Sequence, residues 1–316
     1  MGNLRERHQK TAVELGNLLA EQGDMDGARA AYQQAIDSGH PDHAPMAAGE
    51  LGALLQYMGD VDGARAAYQQ AIDSGHPDEA SKAAYNLGVL LRHQGDADGA
   101  RAAYQQAIDS GHPDHAPMAM VNLGVLLRNQ GDVDGARAAY QRGIDSGHPE
   151  QALMAAFNLG NLLAEQGDVD GACAAYQRSI DSGHPEQAPM AAYNLGNLLA
   201  EQGDVDGACA AYQQVIDSGH SEQAPMAAVE LGALLDEQGD VDGARAAYQR
   251  AIDSGHPEQA PMAAYNLGVL LDEQGDVDGA RAAYQQVIDS DHEVAAAHAQ
   301  HALENLSDPP TPSSNP

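Results

Sequence analysis

The sequence predicts an all-α protein, a solenoid in which antiparallel helix pairs stack one on the next. One phrase, best read at Asn194–Asp217, recurs eight times, and its Gly-Asp pair returns every 36 residues from Gly23 to Gly275. Within each copy the apolar residues fall on two stripes of helical spacing, separated by turn residues. A fixed period of this length is typical of stacked repeats, because one unit cannot bury its own apolar face.

The second repeat shows how each copy divides into two helices. Pro45 is expected to open the first helix, and Gly59 to end it. Asp60 is then placed to cap the second helix, and Gly75 to close that helix in a left-handed conformation. The His-Pro pair that ends at Pro77 is expected to lead the chain out of helix before the next repeat begins.

The repeat phase also sets the limits of the array. Residues 1–8 form a short basic lead-in, and residues 9–296 hold the eight repeats. An Ala- and His-rich helix over 294–306 is expected to cap the C-terminal end of the array. The last stretch, 307–316, is rich in Pro and Ser and is expected to be disordered.

Composition narrows the function classes. The formal net charge of the 316 residues is −32, which disfavours binding to nucleic acid phosphates and to anionic lipid headgroups. The N-terminal residues show no signal peptide and no run of apolar residues is long enough to span a membrane, so a cytoplasmic location is expected. Cys173 and Cys209 occupy the same slot of adjacent repeats, too far apart for a disulfide, and are expected to be free thiols.

The pattern of small and large residues resembles the tetratricopeptide repeat. In the third repeat it reads Ala84, Leu87, Gly88, Leu91, Ala100, Tyr104, Ala107 and Pro113. The resemblance covers about residues 9–306 and implies a right-handed superhelix whose first helices line a concave, peptide-binding groove. Two departures are the period of 36 residues, against about 34 in the family, and the lack of Trp at the fourth slot. Sel1-like repeats are the second choice, because their glycine and tryptophan signature is absent.

Asparagines form the first candidate site. In several proteins with this repeat, Asn at the sixth slot of the first helix resembles a ladder that clamps the backbone of an extended peptide. An amide suits that role, because it offers both a donor and an acceptor to a peptide unit. The alternative is that Asn tolerates a crowded groove or bonds to the neighbouring repeat. The candidates are Asn86, Asn122, Asn158, Asn194 and Asn266 at the sixth slot, with Asn161 and Asn197 at the ninth.

Aromatic residues at the fifth slot form the second candidate site. They could anchor a ligand, since aromatic side chains often dominate binding energy, or they could belong to the core between repeats. Both interpretations stay open. The candidates are Tyr85, Phe157, Tyr193 and Tyr265.

Basic residues on the first helices of repeats three and four form the third candidate site. Lys82, Arg92 and Arg128 could make a basic pocket that selects an acidic feature of a partner, or they could lie on an ordinary solvated face. A carboxylate clamp of the family's type is in doubt, because its fifth-slot Lys is replaced by Tyr85 and Val121. Six Arg on the second helices are instead expected to pair with the aspartate three residues earlier. They are Arg29, Arg65, Arg101, Arg137, Arg245 and Arg281.

We predict a protein-interaction scaffold that binds an extended peptide or protein segment, with neither catalytic activity nor a cofactor. No nucleophile constellation or phosphate loop is present, the Gly-Asp-Val-Asp-Gly phrase lacks the ligand count of a calcium loop, and one turn His per repeat cannot assemble a metal site. A monomer is expected. The alternatives are a structural or self-associating array and a regulatory module that acts on a separate enzyme chain.

Overall fold

The computed structural model describes the backbone of residues 2–290 and 292–306, and side chains from Ala12 onward. The segment 307–316, predicted to be disordered, lies outside the described residues. The chain divides into an N-terminal unit that ends at Leu162 and a C-terminal unit that begins at Leu163. Each is built of α-helices, as the sequence predicts.

The N-terminal unit holds α1 to α8 and most of α9. Their bounds are α1 Gly2–Glu21, α2 Met25–Asp37, α3 His43–Tyr57, α4 Val61–Asp73, α5 Pro77–His93, α6 Ala97–Asp109, α7 His115–Asn129, α8 Val133–Asp145 and α9 Pro149–Glu165. Residues 2–8, which the sequence sets apart as a lead-in, continue the same helix as the first repeat.

The C-terminal unit holds the rest of the helices and ends with α17, which packs against α15 and α16 and buries Ala295 and Ala299. The bounds are α10 Val169–Asp181, α11 Gln187–Glu201, α12 Val205–Ser218, α13 Gln223–Glu237, α14 Val241–Asp253, α15 Gln259–Glu273, α16 Val277–Ile288 and α17 Glu293–Asn305.

The second helix of each repeat begins as predicted. The Asp60 carboxylate accepts a hydrogen bond from the backbone N–H of Gly63 at 3.0 Å, which satisfies one of the free donors at the start of α4. Gly59 and Gly75 have φ values of +80° and +68°, a backbone conformation that residues other than glycine rarely adopt. These residues therefore fix both ends of the second helix.

The first helices begin earlier than predicted. α3 starts at His43, so Pro45 is its third residue and does not open it. Pro77, at the end of the second repeat, is itself the first residue of α5, and the Nδ1 atom of His76 accepts the backbone N–H of Glu79. The expectation that the His-Pro pair leads away from helix is therefore wrong here. Proline lacks the N–H that a first turn leaves unpaired, and His can supply the cap.

The helices of each unit form two layers. In the N-terminal unit the first helices α1, α3, α5 and α7 pack side by side in that order, and α11, α13, α15 and α17 do so in the C-terminal unit. Among the described residues of the N-terminal unit, the backbones of the second helices come within 8 Å (Cα to Cα) of first helices but not of one another. Since closely spaced elements lie on the inside of a curved stack, we call the exposed side of the first helices the inner surface.

Glycine and tyrosine join the two helices of a repeat. The buried ring of Tyr68 on α4 lies against Gly52 on α3, and a Cβ atom added to Gly52 would come within 2.5 Å of the Tyr68 ring. The same pairing recurs between Gly88 and Tyr104. The Leu-Gly and Ala-Tyr pairs of the sequence are thus the contact at which the helix pair closes.

Histidines link consecutive repeats. The Nδ1 atom of His220 accepts the backbone N–H groups of Glu222 and Gln223 at 3.3 and 3.2 Å, which caps α13. Its Nε2 atom lies 3.1 Å from the carboxylate of Glu186 in the preceding repeat. With Nδ1 acting as acceptor, the neutral ring carries its proton on Nε2 and donates it to Glu186. The turn histidines are therefore both helix caps and connectors between repeats.

Replacing His220 by alanine is expected to lower the free energy of unfolding of the C-terminal unit by about 1–2 kcal/mol, since it removes a cap and a hydrogen bond. His220→Asn retains a capping side chain but is too short to reach Glu186, so its loss is expected to be smaller. Thermal or urea unfolding of both variants measures the difference. Equal losses for the two variants would contradict the two-part role.

Arginines make a second link between repeats. The Nη2 atom of Arg65 lies 3.3 Å from the carboxylate of Asp96, which is the cap residue of the second helix in the following repeat. Arg101 and Arg245 reach the corresponding aspartates of the following repeats at 3.9 Å. The predicted pairing with an aspartate three residues earlier is therefore wrong for these three arginines. A long side chain on a stacked helix reaches the next repeat as easily as its own first turn.

Candidate functional site

The predicted site residues all lie on first helices, some in the N-terminal unit and the others in the C-terminal unit. The N-terminal unit carries Lys82, Tyr85, Asn86, Arg92, Asn122, Arg128, Phe157, Asn158 and Asn161, and the C-terminal unit carries Tyr193, Asn194, Asn197, Tyr265 and Asn266. All of these side chains are half-buried. They are therefore held by their neighbours while part of each surface faces solvent.

The sixth-slot asparagines differ in their contacts. The Nδ2 group of Asn122 donates to the carbonyl of Met118 on its own helix at 3.0 Å and to the Tyr85 hydroxyl of the previous repeat at 3.4 Å. Asn86 lines a depression of the inner surface together with Gln56 and Tyr57. Neighbouring repeats thus meet at this slot, and its amides lie beside the aromatic side chains.

The ninth-slot asparagines contact the core tyrosines. The Oδ1 atom of Asn197 accepts the hydroxyl proton of Tyr212 at 2.7 Å, and Asn17 does the same for Tyr32. A buried tyrosine hydroxyl needs such a partner, since an unpaired polar group in the core is costly. The contact explains why asparagine suits this slot, because it closes the helix pair. Asn197 also makes a side-chain hydrogen bond with Tyr193.

The rings of the fifth-slot tyrosines pack against buried tyrosines of the second helices. The ring of Tyr85 lies 6.3 Å from that of Tyr104, the ring of Tyr193 lies 6.1 Å from that of Tyr212, and the ring of Tyr265 lies 5.8 Å from that of Tyr284. The pairs are tilted, an arrangement that aromatic rings favour. Each fifth-slot ring is therefore held in place with one side toward the inner surface.

The predicted basic pocket is partly neutralised. The Nζ atom of Lys82 lies 2.8 Å from the carboxylate of Glu50 in the previous repeat. Burial lowers the pKa of Lys82, but the hydrogen bond with Glu50 and the negative charges of Glu50 and Glu79 together outweigh it, so the pKa of Lys82 is raised. Arg92 and Arg128 lie half-buried in the last turns of α5 and α7, where a cation is favourable at the negative end of the helix dipole. Lys82 thus joins two repeats.

An aromatic residue that the sequence reasoning missed stands out on the inner surface. Tyr57, the last residue of α3, is 79% exposed. Depressions of about 390 and 400 Å³ flank it, the first between α1 and α3 and the second between α3 and α5, and both also include Ala53. The signal in the sequence is that slot 13 of the first helix carries an aromatic residue only in this repeat.

The depression between α1 and α3 has an apolar lining and acidic neighbours. Ala20, Met25 and Leu54 contribute to its walls, together with Glu21 and Glu50. Burial raises the pKa of Tyr32, which also lines the depression, to about 12, and the negative charges of Glu50 and Glu21 add to this effect. This part of the inner surface therefore combines apolar walls with negative potential.

Metal-ligating clusters and cysteine thiols are two further kinds of candidate site. No group of three or more His, Cys, Asp or Glu side chains within them is arranged to hold a metal ion. Cys173 and Cys209 are free thiols, as the sequence predicts, and burial raises the pKa of both, which disfavours the reactive thiolate. Within the same residues, no helix is long and apolar enough to cross a membrane.

Comparison with known families gives a clear match. The family model described as tetratricopeptide repeat matches six overlapping segments that together run from residue 13 to residue 295. They are 13–56, 50–116, 94–150, 121–185, 157–228 and 229–295. No curated protein matches the chain.

Several solved structures are similar at low sequence identity. PilF of Pseudomonas aeruginosa is 19% identical over 72% of this chain and 99% of its own, with a TM-score of 0.50. A tetratricopeptide repeat protein of Parabacteroides merdae is 18% identical over 80% of this chain and 95% of its own, with a TM-score of 0.48. YrrB, described as having an unusual peptide-binding site, is 20% identical over 63% of this chain and 98% of its own, with a TM-score of 0.45. The likeness to PilF supports the fold alone.

Proposed function

Because the chain belongs to the tetratricopeptide repeat family, whose members are generally protein-interaction scaffolds, we propose that it binds extended segments of partner proteins on the inner surface of its first helices. The observation that carries this proposal is the presence on the first helices of anchored aromatic rings and half-buried amides, which meet where Asn122 bonds the Tyr85 hydroxyl. Rigid aromatics supply contact area, and amides can bond a peptide backbone without reading its side chains.

The scaffold has no catalytic step in this proposal and acts in the cytoplasm. Its negative charge directs it toward proteins and away from nucleic acids. Regulation of a separate enzyme chain is one form that such binding can take.

A capture experiment tests the use of the inner surface. Wild-type protein and the double variant Asn122→Ala plus Asn158→Ala are immobilised, and the partners recovered from a cell extract are compared by quantitative mass spectrometry. We expect recovery of the main partner to fall about tenfold, as for the loss of important interface contacts. The matched control is Gln141→Ala plus Gln177→Ala, which changes two amides of the same repeats on the second helices. Equal recovery by all three proteins would contradict the proposal.

Self-association is a second candidate, because the first repeat exposes apolar side chains at one end of the array. Leu15 and Leu18 are 47% and 50% exposed, whereas Leu51 and Leu54 at the same slots of the second repeat are 6% and 7% exposed. Sedimentation velocity over a range of concentrations decides between the candidates. A constant 33.0 kDa species would remove self-association.

A further inference from the structure

We propose that the surface around Tyr57 binds a partner segment in which a large apolar side chain stands next to a lysine or arginine. This inference rests on the proposed function, since it names the kind of partner that one part of the inner surface fits. The surface is made of the two depressions on either side of Tyr57, and we call it the Tyr57 site.

The first argument is the exposure of Tyr57. Its ring is 79% exposed, more than any other large apolar side chain in the described part of the chain. An aromatic ring can bury about 150–250 Å² in an interface and carries its polar hydroxyl at the tip. Between two depressions that share Ala53, the ring can contact a ligand on both of its sides.

The second argument is the shape and chemistry of the depression between α1 and α3. Its volume of about 390 Å³ lies within the range in which pockets bury an inserted group. Ala20, Met25 and Leu54 offer apolar contacts, and methionine adapts its shape to different side chains. A large aliphatic or aromatic side chain of a partner therefore fits this depression.

The third argument is the charge at its rim. Glu21 is the exposed last residue of α1, where the negative end of the helix dipole already creates negative potential. Glu50 lines the same depression and forms an ion pair with Lys82. An exposed carboxylate at a helix C-terminus is unfavourable for the helix alone, and a cation from a partner relieves that repulsion. The net charge of −32 attracts the same cation over longer distances.

The fourth argument concerns the second depression, between α3 and α5. Gln56 and Asn86 present amides in it, and Val89 with the ring of Tyr68 provides apolar walls. The side-chain carbonyl of Gln56 accepts the Tyr68 hydroxyl proton at 3.0 Å, and this bond does not use the amide N–H groups of Gln56. A peptide that leaves the first depression over Tyr57 can therefore be bonded through its backbone on the far side.

Selection from a random peptide library tests the proposal. Phage-displayed peptides of about twelve residues extend to about 40 Å and can cross three helices set about 10 Å apart. The library is selected on the full chain, and binders that also bind the Tyr57→Ala variant are removed. We expect the remaining sequences to pair Leu, Ile, Met or Phe with Lys or Arg within two positions.

The most enriched peptide is then labelled with fluorescein and titrated by fluorescence anisotropy. Tyr57→Ala is expected to weaken binding about tenfold, as for an interface hot spot, and Tyr57→Phe to change it less than about twofold. Glu21→Lys is expected to weaken binding about tenfold, and a peptide with its basic residue changed to Glu to regain affinity for that variant. Met154→Ala, which changes an exposed side chain of α9, is the matched control and should bind like wild type.

The outcomes separate this inference from the proposed function. Peptides that bind but are acidic, or that bind Tyr57→Ala equally well, overturn the Tyr57 site while leaving the inner surface as a binding surface. Absence of rescue by charge reversal overturns the pairing with Glu21. A library from which no peptide is enriched on the wild-type chain overturns the Tyr57 site, whereas the proposed function is decided by the capture experiment.

Discussion

Replacing Gly52 by alanine is expected to lower the free energy of unfolding of the second repeat by about 1–3 kcal/mol, although alanine is the better helix former. The added Cβ atom would lie 2.5 Å from the ring of Tyr68, which is only 2% exposed and packs between the two helices. The helix pair must open to admit the methyl group. Hydrogen exchange of the amides in α3 and α4 measures this local loss, which global unfolding of a repeat array can average out.

The matched control lies one turn earlier in the same helix. Gly49 faces only the Glu79 carboxylate, at 3.7 Å from an added Cβ atom, which is an ordinary contact distance. Gly49→Ala is therefore expected to stabilise the repeat by about 0.5–1 kcal/mol through helix propensity. The same substitution should act with opposite sign at two positions of α3. Destabilisation by both variants, or by neither, would contradict the contact between Gly52 and Tyr68.

Truncation of Tyr104 to alanine is expected to cost about 3–5 kcal/mol, the largest effect of any substitution considered. The side chain is 0% exposed and fills the space between Gly88 on α5 and the neighbouring core residues. Its removal leaves a cavity that rigid helices cannot close. In a stacked array this loss also weakens the coupling between the repeats on either side. Urea unfolding followed by circular dichroism is expected to show an earlier or a split transition.

The Tyr104→Phe variant distinguishes the contribution of the ring to stability from that of the hydroxyl. No group in the described part of the chain accepts a hydrogen bond from the Tyr104 hydroxyl, so its removal breaks no bond and relieves an unpaired buried group, and Tyr104→Phe is expected to raise stability by about 1 kcal/mol. Tyr212→Phe removes the bond to Asn197 and is expected to cost about 0.5–1.5 kcal/mol. A large loss in Tyr104→Phe would mean that the hydroxyl, and not the ring, carries the stability.

The fold could be predicted from the sequence because its determinants are local. The 36-residue period, the stripes of apolar residues and the Asp caps all act within one repeat or between neighbours. The error at Pro45 concerns the first turn, since α5 begins at Pro77 where the first slot is Ser81, whereas α3 begins two positions later in the turn, at His43, where the first slot is Pro45. Proline has no N–H to bond the carbonyl four residues earlier, so Pro45 fits only in the first turn of a helix. The periodicity of the sequence predicts the apolar stripe of a first helix but not the residue at which its first turn begins.

The candidate site could be predicted only in outline. The slots of the first helix that face solvent follow from the repeat, so the rows of Asn and Tyr were placed on the correct helices. The bond between Lys82 and Glu50 depends on how far neighbouring first helices are shifted, which no single repeat encodes. Tyr57 was missed because it breaks the pattern, and a search for rows overlooks a residue that occurs once.

The histidine links have a consequence for the length of the array. Three of these bonds have the same length of 3.1 Å, those of His220 with Glu186, of His256 with Glu222 and of His292 with Glu258. In this series, the carboxylate of one repeat contacts the imidazole of the following repeat. Removal of 36 residues from the middle of such a series brings together a carboxylate and an imidazole that are chemically the same as those they replace. Unequal recombination between the near-identical gene segments can therefore shorten or lengthen the protein by whole repeats without leaving an unpaired group at the new junction.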